Sequence, residues 1–284
     1  MAITVETVSR MQLTADTLRR EGKRIAVVPT MGALHEGHLS LIRLARKHAD
    51  VVVTTVFVNP LQFGPGEDFG RYPRPLPKDI MAAADAGAEY VFAPSVREMY
   101  PEGFQTSVHV EQLTARLEGA VRPGHFRGVT TIVAKLFTAV KPHVAVFGQK
   151  DAQQLAVIKR MTVDLGFHVD IVVGQTVRER DGLAMSSRNV YLTESQRKEA
   201  PVLYQALSLA RDRIQQGEFR RATLVEEMRA VISGRSSASI DYLSVADAVT
   251  LEEVEQLTPG KDVLISLAAR FGTTRLIDNI PVRP

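Results

Sequence analysis

The chain has 284 residues, 45% hydrophobic and 24% charged, which suits one large or two ordinary globular domains and excludes wholesale disorder. Its 35 basic and 32 acidic residues leave a net charge of only +3, and its basic clusters are as short as Arg43, Arg46 and Lys47, so no nucleic-acid track is expected. The lack of Cys excludes disulfides, thiolate nucleophiles and Cys-based metal sites. With no signal-like N-terminus and no apolar run of the ~18 residues that a membrane span needs, a soluble cytoplasmic protein is expected.

In chain order, the first 175 residues alternate β-rich runs with helical patterns. Strands are expected at 25–28, 51–58, 90–93, 144–147 and 169–173, and helices at 39–48, 76–86, 129–140 and 153–165. Residues 51–58 are nearly all apolar or β-branched, as a parallel strand buried on both faces requires. The alternation predicts an α/β domain, a parallel sheet flanked by helices, over residues 1–176. Ligands in such folds bind at the carboxyl ends of the strands, which puts the segments after Val28, Val58, Phe147 and Val173 on one rim. Beyond Thr176 the texture changes. Thr193 with Gln196 fits a capping box opening a helix through Gln215, and a second helix is expected at 223–232. Strand-like runs at 240–245, 263–269 and 274–277 complete a smaller α+β domain over 177–284.

Five segments carry side chains suited to chemistry. Pro29, Thr30, Met31, Gly32, Ala33, Leu34, His35, Glu36, Gly37 and His38 run from a strand into a helix. A helix N-terminus attracts anions, and imidazoles there can donate to a polyphosphate, so phosphate binding is favoured over plain capping. The spacing of His35 and His38, i to i+3, does not fit a zinc protease. Asn59 and Gln62 in FVNPLQF offer amides at the rim for a small hydroxy acid, but Asn-Pro is a common turn initiator and the segment taken alone reads better as a turn. Arg122, His125 and Arg127 lie in a Gly/Pro-rich loop that reads equally as an anion site or as surface. Gly148, Gln149, Lys150 and Asp151 again lead from strand to helix. Lys150 suits phosphate, Asp151 suits capping, ribose or a metal, and at most one of Gln153 and Gln154 faces a ligand. Met185, Ser186, Ser187 and Arg188 read as a triphosphate clamp on a closing loop better than as a linker. No P-loop is found, and Gly64 with Gly66 breaks the dinucleotide spacing.

HxGH followed by Met-Ser-Ser-Arg resembles the HIGH and KMSKS signatures of the nucleotidyltransferase superfamily. The series PTMGALHEGHLSLI, FVNPLQF, RPGHFRGV, FGQKDAQQ, DGLAMSSRN and LIDN is similar, over nearly the whole chain, to the pantothenate synthetase (pantoate–β-alanine ligase) family. The resemblance implies a Rossmann-like domain, a smaller C-terminal lid, a homodimer, and ATP with Mg²⁺. Residues implied at ATP are Met31, Gly32, Ala33, Leu34, His35, Glu36, Gly37, His38, Gly148, Gln149, Lys150, Asp151, Val177, Met185, Ser186, Ser187 and Arg188. Gln62 and Gln154 are implied at pantoate, Gln62 also near β-alanine, with Asn59 and Arg122 as second members. His38 is implied as proton donor, and His35, Lys150 and Arg188 join it as the catalytic cations. The protein ligands of Mg²⁺ are not identified.

Two rivals remain. A small adenylyltransferase would transfer AMP to a phosphorylated metabolite and stop, but the pair Gln62 and Gln154 favours a hydroxy-acid carboxylate. An RNA-binding relative of tRNA synthetases would need an appended basic domain that the chain lacks.

Overall fold

The computed structural model describes residues 2–284. The chain divides into two compact units. One holds the residues through Gln149 together with Gln154–Gln175, and the other holds Lys150–Gln153 together with Thr176–Pro284. The division expected at 176/177 did not anticipate that Lys150–Gln153 would group with the second unit.

The first unit runs β1 (Ile3–Val5), α1 (Val8–Arg20), β2 (Ile25–Thr30), α2 (Glu36–Ala45), β3 (Val51–Val56), α3 (Leu76–Asp85), β4 (Tyr90–Phe92), α4 (Val96–Met99), α5 (Glu118–Val121), α6 (His125–Val140), β5 (Val144–Gly148), most of α7 (Ala152–Asp164) and β6 (Asp170–Gly174). Its six strands form one parallel sheet in the order β1-β4-β3-β2-β5-β6. Side chains of β2 and β3 alternate between two cores. Ile25, Val27, Val51 and Val53 meet Met11, Phe137 and Ile158, while Ala26, Val28 and Val52 meet Leu41, Ile42 and Ala83. This is the period of two that a strand imposes, and helices on both faces explain why the strands are apolar throughout. The strand order reverses between β2 and β5, so the binding crevice of the unit belongs at their carboxyl ends.

The second unit packs α8 (Glu194–Glu199), α9 (Val202–Gln215) and α10 (Arg221–Arg235) with β7 (Ser239–Asp247), β8 (Val263–Phe271) and β9 (Thr274–Val282). The strands form an antiparallel sheet in the order β7-β8-β9. The single helix expected through Gln215 is in fact two. Pro201 has no N–H to return to Arg197, so α8 closes at Ala200 and α9 begins from Pro201. The capping box itself is present: Thr193 and Gln196 exchange hydrogen bonds. Among the described residues no helix is long and apolar enough to cross a membrane.

Candidate active site

The turn after β2 is left-handed at Gly32 (φ 87°) and Ala33 (φ 51°). It is held from α3. The N–H groups of Ala33 and Leu34 donate to Asp79 Oδ2 and Oδ1 at 2.9 and 2.8 Å. Asp79 is only 2% exposed. Burial pushes its carboxyl above the usual range, against the pull of the two amides. A Cβ at Gly32 would lie 2.9 Å from Asp79 Oδ2 and 3.0 Å from Val56, so both backbone angle and space demand glycine.

The turn delivers the two histidines to the start of α2. His35 is the N-cap, and its Nδ1 accepts the N–H of Gly37 at 3.1 Å. His38 Nδ1 accepts the N–H of His35 at 3.3 Å, closing a capping box built from imidazoles. The rings lie 4.1 Å apart. A neutral imidazole that accepts at Nδ1 carries its proton on Nε2. Capping and phosphate binding are therefore compatible: the cap fixes the tautomer that makes each ring a donor at Nε2.

The second segment forms a 3-10 turn, Pro60–Gln62, capped by Asn59. Asn59 is fully buried. Its Oδ1 accepts from Leu61 N–H (3.3 Å) and Tyr100 O–H (2.8 Å), and its Nδ2 donates to Gln62 Oε1 (2.9 Å) and Gly128 O (3.1 Å). Both amide hydrogens and both acceptor positions are thus engaged. Asn59, expected as a second member of the substrate site, holds the Gln62 side chain through its Oε1, which leaves the Gln62 Nε2 as the donor end. Gly128 permits this arrangement, since a Cβ there would stand 2.0 Å from Leu61 O.

The loop before α6 reaches the same turn. Arg122 meets Glu67 in a two-point ion pair, at 2.7 Å through Nε and 2.8 Å through the second terminal nitrogen, which also donates to Gln62 O at 3.2 Å. Its other terminal nitrogen lies 3.1 Å from His125 Nε2. His125 Nδ1 is 2.7 Å from the Gln62 carbonyl, which can only accept, so Nδ1 carries the proton and Nε2 accepts from Arg122. Burial, helped by the Arg122 charge, pulls His125 down to about 4 against the opposing Gln62 carbonyl. Burial alone would raise Glu67, but the Arg122 contacts outweigh it and hold the carboxyl at about 2. Arg122, expected at substrate, has its guanidinium engaged by Glu67. Glu67 escaped the sequence reading because it sits in a polar loop outside every motif.

In the second unit, residues 177–185 form a tight hairpin. Met185 N–H donates to Val177 O at 3.0 Å, Glu179 N–H to Leu183 O at 2.8 Å, and Arg178 bridges Ala184. Val177 and Met185, separate in sequence, become hydrogen-bonded neighbours. Ser186 then caps the 3-10 turn Ser187–Tyr191, its Oγ accepting from Arg188 N–H at 3.2 Å. Lys150 Nζ lies 3.9 Å from Asp151 Oδ1. Gln153 is buried and Gln154, which belongs to the first unit, is half-exposed, so of the pair Gln154 is the one open to a ligand.

The profile of the family described as pantoate-beta-alanine ligase matches residues 3–281. The chain belongs to this family. It is therefore an enzyme, a ligase. It is 54% identical to the pantothenate synthetase of Chloroherpeton thalassium, over 97% of each chain. It is 57% identical to that of Roseiflexus sp., over 89% of this chain and 90% of the other. Its structure is similar to the pantothenate synthetase of Thermus thermophilus, with a TM-score of 0.92, 49% identity, and coverage of 99% and 100%. The pantoate-beta-alanine ligase of Francisella tularensis, solved as a complex with beta-gamma ATP and beta-alanine, matches with a TM-score of 0.79 at 32% identity, over 99% and 97%. Among the described residues, no three His, Asp or Glu are clustered to hold a metal ion.

Proposed function

We propose that this ligase forms pantothenate from pantoate and β-alanine through a pantoyl-adenylate, releasing pyrophosphate and then AMP. The observation that carries the reading is the paired imidazole cap, which fixes two Nε2 donors at the start of α2. The complex of the Francisella tularensis relative with beta-gamma ATP and beta-alanine supports ATP and the amine substrate. The chain has no Cys, and adenylation needs no covalent nucleophile.

In the first step a pantoate carboxylate oxygen attacks the α-phosphorus of ATP, and the bond to the pyrophosphate oxygen breaks. His35 and His38 donate from Nε2 to the phosphate oxygens that gain charge, with His38 as the proton donor. Lys150, Ser186, Ser187 and Arg188 bind the departing phosphates, and the backbone around Met31, Gly148, Asp151 and Val177 receives the nucleotide. Asp151 would meet the Mg²⁺ that accompanies ATP, and the ion would supply charge neutralisation at the phosphates. Gln62, aimed by Asn59, donates to pantoate, and Gln154 assists. In the second step the neutral amine of β-alanine attacks the acyl carbon, AMP leaves with the bonding electron pair, and the nitrogen loses a proton. The enzyme works as a cytoplasmic homodimer in this reading.

The test is a single turnover with ATP, Mg²⁺ and pantoate, with and without β-alanine. Without amine, one equivalent of pyrophosphate and an enzyme-bound acyl-adenylate are expected. With amine, AMP and pantothenate appear together. ADP with an acyl phosphate as first product overturns the adenylation mechanism, and AMP release independent of β-alanine overturns the ligase step.

A further inference from the structure

The segment Leu276, Ile277, Asp278 and Asn279 on β9 has no part in the reaction just described, yet Asp278 and Asn279 are only 3% and 4% exposed. Successive strand residues point to opposite faces, so these neighbours reach different parts of the second unit. Asp278 takes the Arg178 guanidinium at two points, 2.6 and 3.0 Å. Arg178 also donates to Gly182 O at 3.1 Å and stacks on the Tyr204 ring at 3.9 Å. It belongs to the hairpin whose return strand leads from Ala184 into Met185, Ser186, Ser187 and Arg188. Asn279 Nδ2 donates to the Lys150 carbonyl at 2.8 Å, across 129 residues of chain.

We infer that Asn279 is a positioning residue for Lys150, and that with Asp278 it ties the Lys150 turn and the Ser186 hairpin to a single strand. The inference rests on the adenylation reading. Neither residue is given a substrate contact in that reading. A stabilising role alone accounts for the Arg178–Asp278 pair but not for Asn279. The Asn279 bond leaves the sheet for a four-residue segment, Lys150–Gln153, that groups with the second unit while the chain on either side of it belongs to the first. Within the sheet, Asn279 stands in register with Ser266, and Ser266 with Ser244. The hydroxyls of both serines are buried without a hydrogen-bond partner, so neither register neighbour competes with the Lys150 carbonyl for the Asn279 amide. The consequence is geometric. Lys150 and the Ser186–Arg188 group approach a triphosphate as one preorganised set, at fixed spacing, instead of being collected separately from two loops.

The experiment is a double-mutant cycle on single-turnover adenylation by the full-length enzyme. Asn279→Ala is expected to slow adenylation about tenfold with the KM for pantoate unchanged, because Gln62 and Gln154 are untouched. In the Lys150→Ala background the same substitution is expected to change nothing further. Asn279→Asp, which keeps the shape and removes the donor hydrogens, should behave as Asn279→Ala and serves if the latter folds poorly. Ser266→Ala, on the same face, should keep the wild-type rate. An Asn279 effect that persists in full without the Lys150 side chain overturns the inference, as does a wild-type rate in a folded Asn279 variant. A wild-type enzyme that makes no acyl-adenylate overturns the underlying reading itself, and is told apart because it appears before any variant is compared.

Discussion

The two units hold a loop each with the same residue type in opposite ways. In the first, Asp79 is 2% exposed and grips the turn at Ala33 and Leu34 through backbone N–H groups alone. In the second, Asp278 is 3% exposed and grips the hairpin through the Arg178 side chain. Amide dipoles only partly offset the desolvation of Asp79, whose carboxyl is pushed up, whereas Asp278 faces a full opposite charge. A backbone grip depends on the glycine that lets the chain come close. A charge grip depends on both partners, and breaking it strands a buried cation.

The largest stability effect should follow from that stranded cation. Asp278→Ala leaves Arg178 (side chain 16% exposed) without its partner and should cost about 3–5 kcal/mol in urea unfolding. A loss under 1 kcal/mol would mean that the pair contributes little and that the grip comes from Tyr204 stacking. Next come His38→Ala and Lys150→Ala, one residue from each unit, each expected to cut adenylation at least ~100-fold. His38→Ala should also cost about 1 kcal/mol of stability, because His38 completes the capping box of α2. Near-normal turnover with intact ATP binding would remove the residue concerned from the catalytic set. Asp79→Ala leaves two buried N–H groups unpaired and should cost about 1–3 kcal/mol, with Asp79→Asn recovering part of it through its remaining acceptor. If Asp79→Ala costs more than Asp278→Ala, the contrast between the two grips is wrong.

Much of this was legible in the residues, for identifiable reasons. The central strands are β-branched and apolar for several positions in a row, and Thr193 with Gln196 announces a helix start by chemistry alone. β1 and α1 went unseen because a three-residue strand has no period to detect, and the contacts of Met11, Ala15 and Leu18 appear only once the sheet exists. The break at Pro201 was readable, but the apolar pattern resuming at Val202 masked it. Asp79 lies on an unremarkable helix and reaches a loop 46 residues earlier, a distance that no local pattern encodes. The amides of Asn59 and Gln62 were legible as a pair, but their order was not. Asn59 holds the Gln62 side chain, which depends on Tyr100 and Gly128 arriving from elsewhere. Arg122 was visible as a cation, whereas its pairing with Glu67 required the loop between them to fold back.

The smallest expected effect concerns that last cluster, where a histidine takes the place of the bound amides and cations compared above. His125 sits among Arg122, Glu67 and Glu118, and burial with the Arg122 charge lowers it from 6.5 to about 4. The folded chain therefore binds fewer protons than the unfolded chain between these values. The stability from neutral His125 is complete above pH 6.5 and is lost as pH falls through 6.5 toward 4. At pH 5.5 the loss relative to pH 7 should be about 1 kcal/mol. Glu67, held at about 2, acts in a lower window, with stability present above 4.5 and lost as pH falls toward 2. His125→Gln should flatten the upper window and leave the lower one. His143, also lowered by burial, is kept in both proteins, so their difference isolates His125. Urea unfolding at half-unit steps from pH 7.5 to 4 provides the comparison. Equal slopes in the two proteins would mean that His125 is protonated in the folded state at mildly acid pH, and the Arg122 contact to its Nε2 would then have to be abandoned.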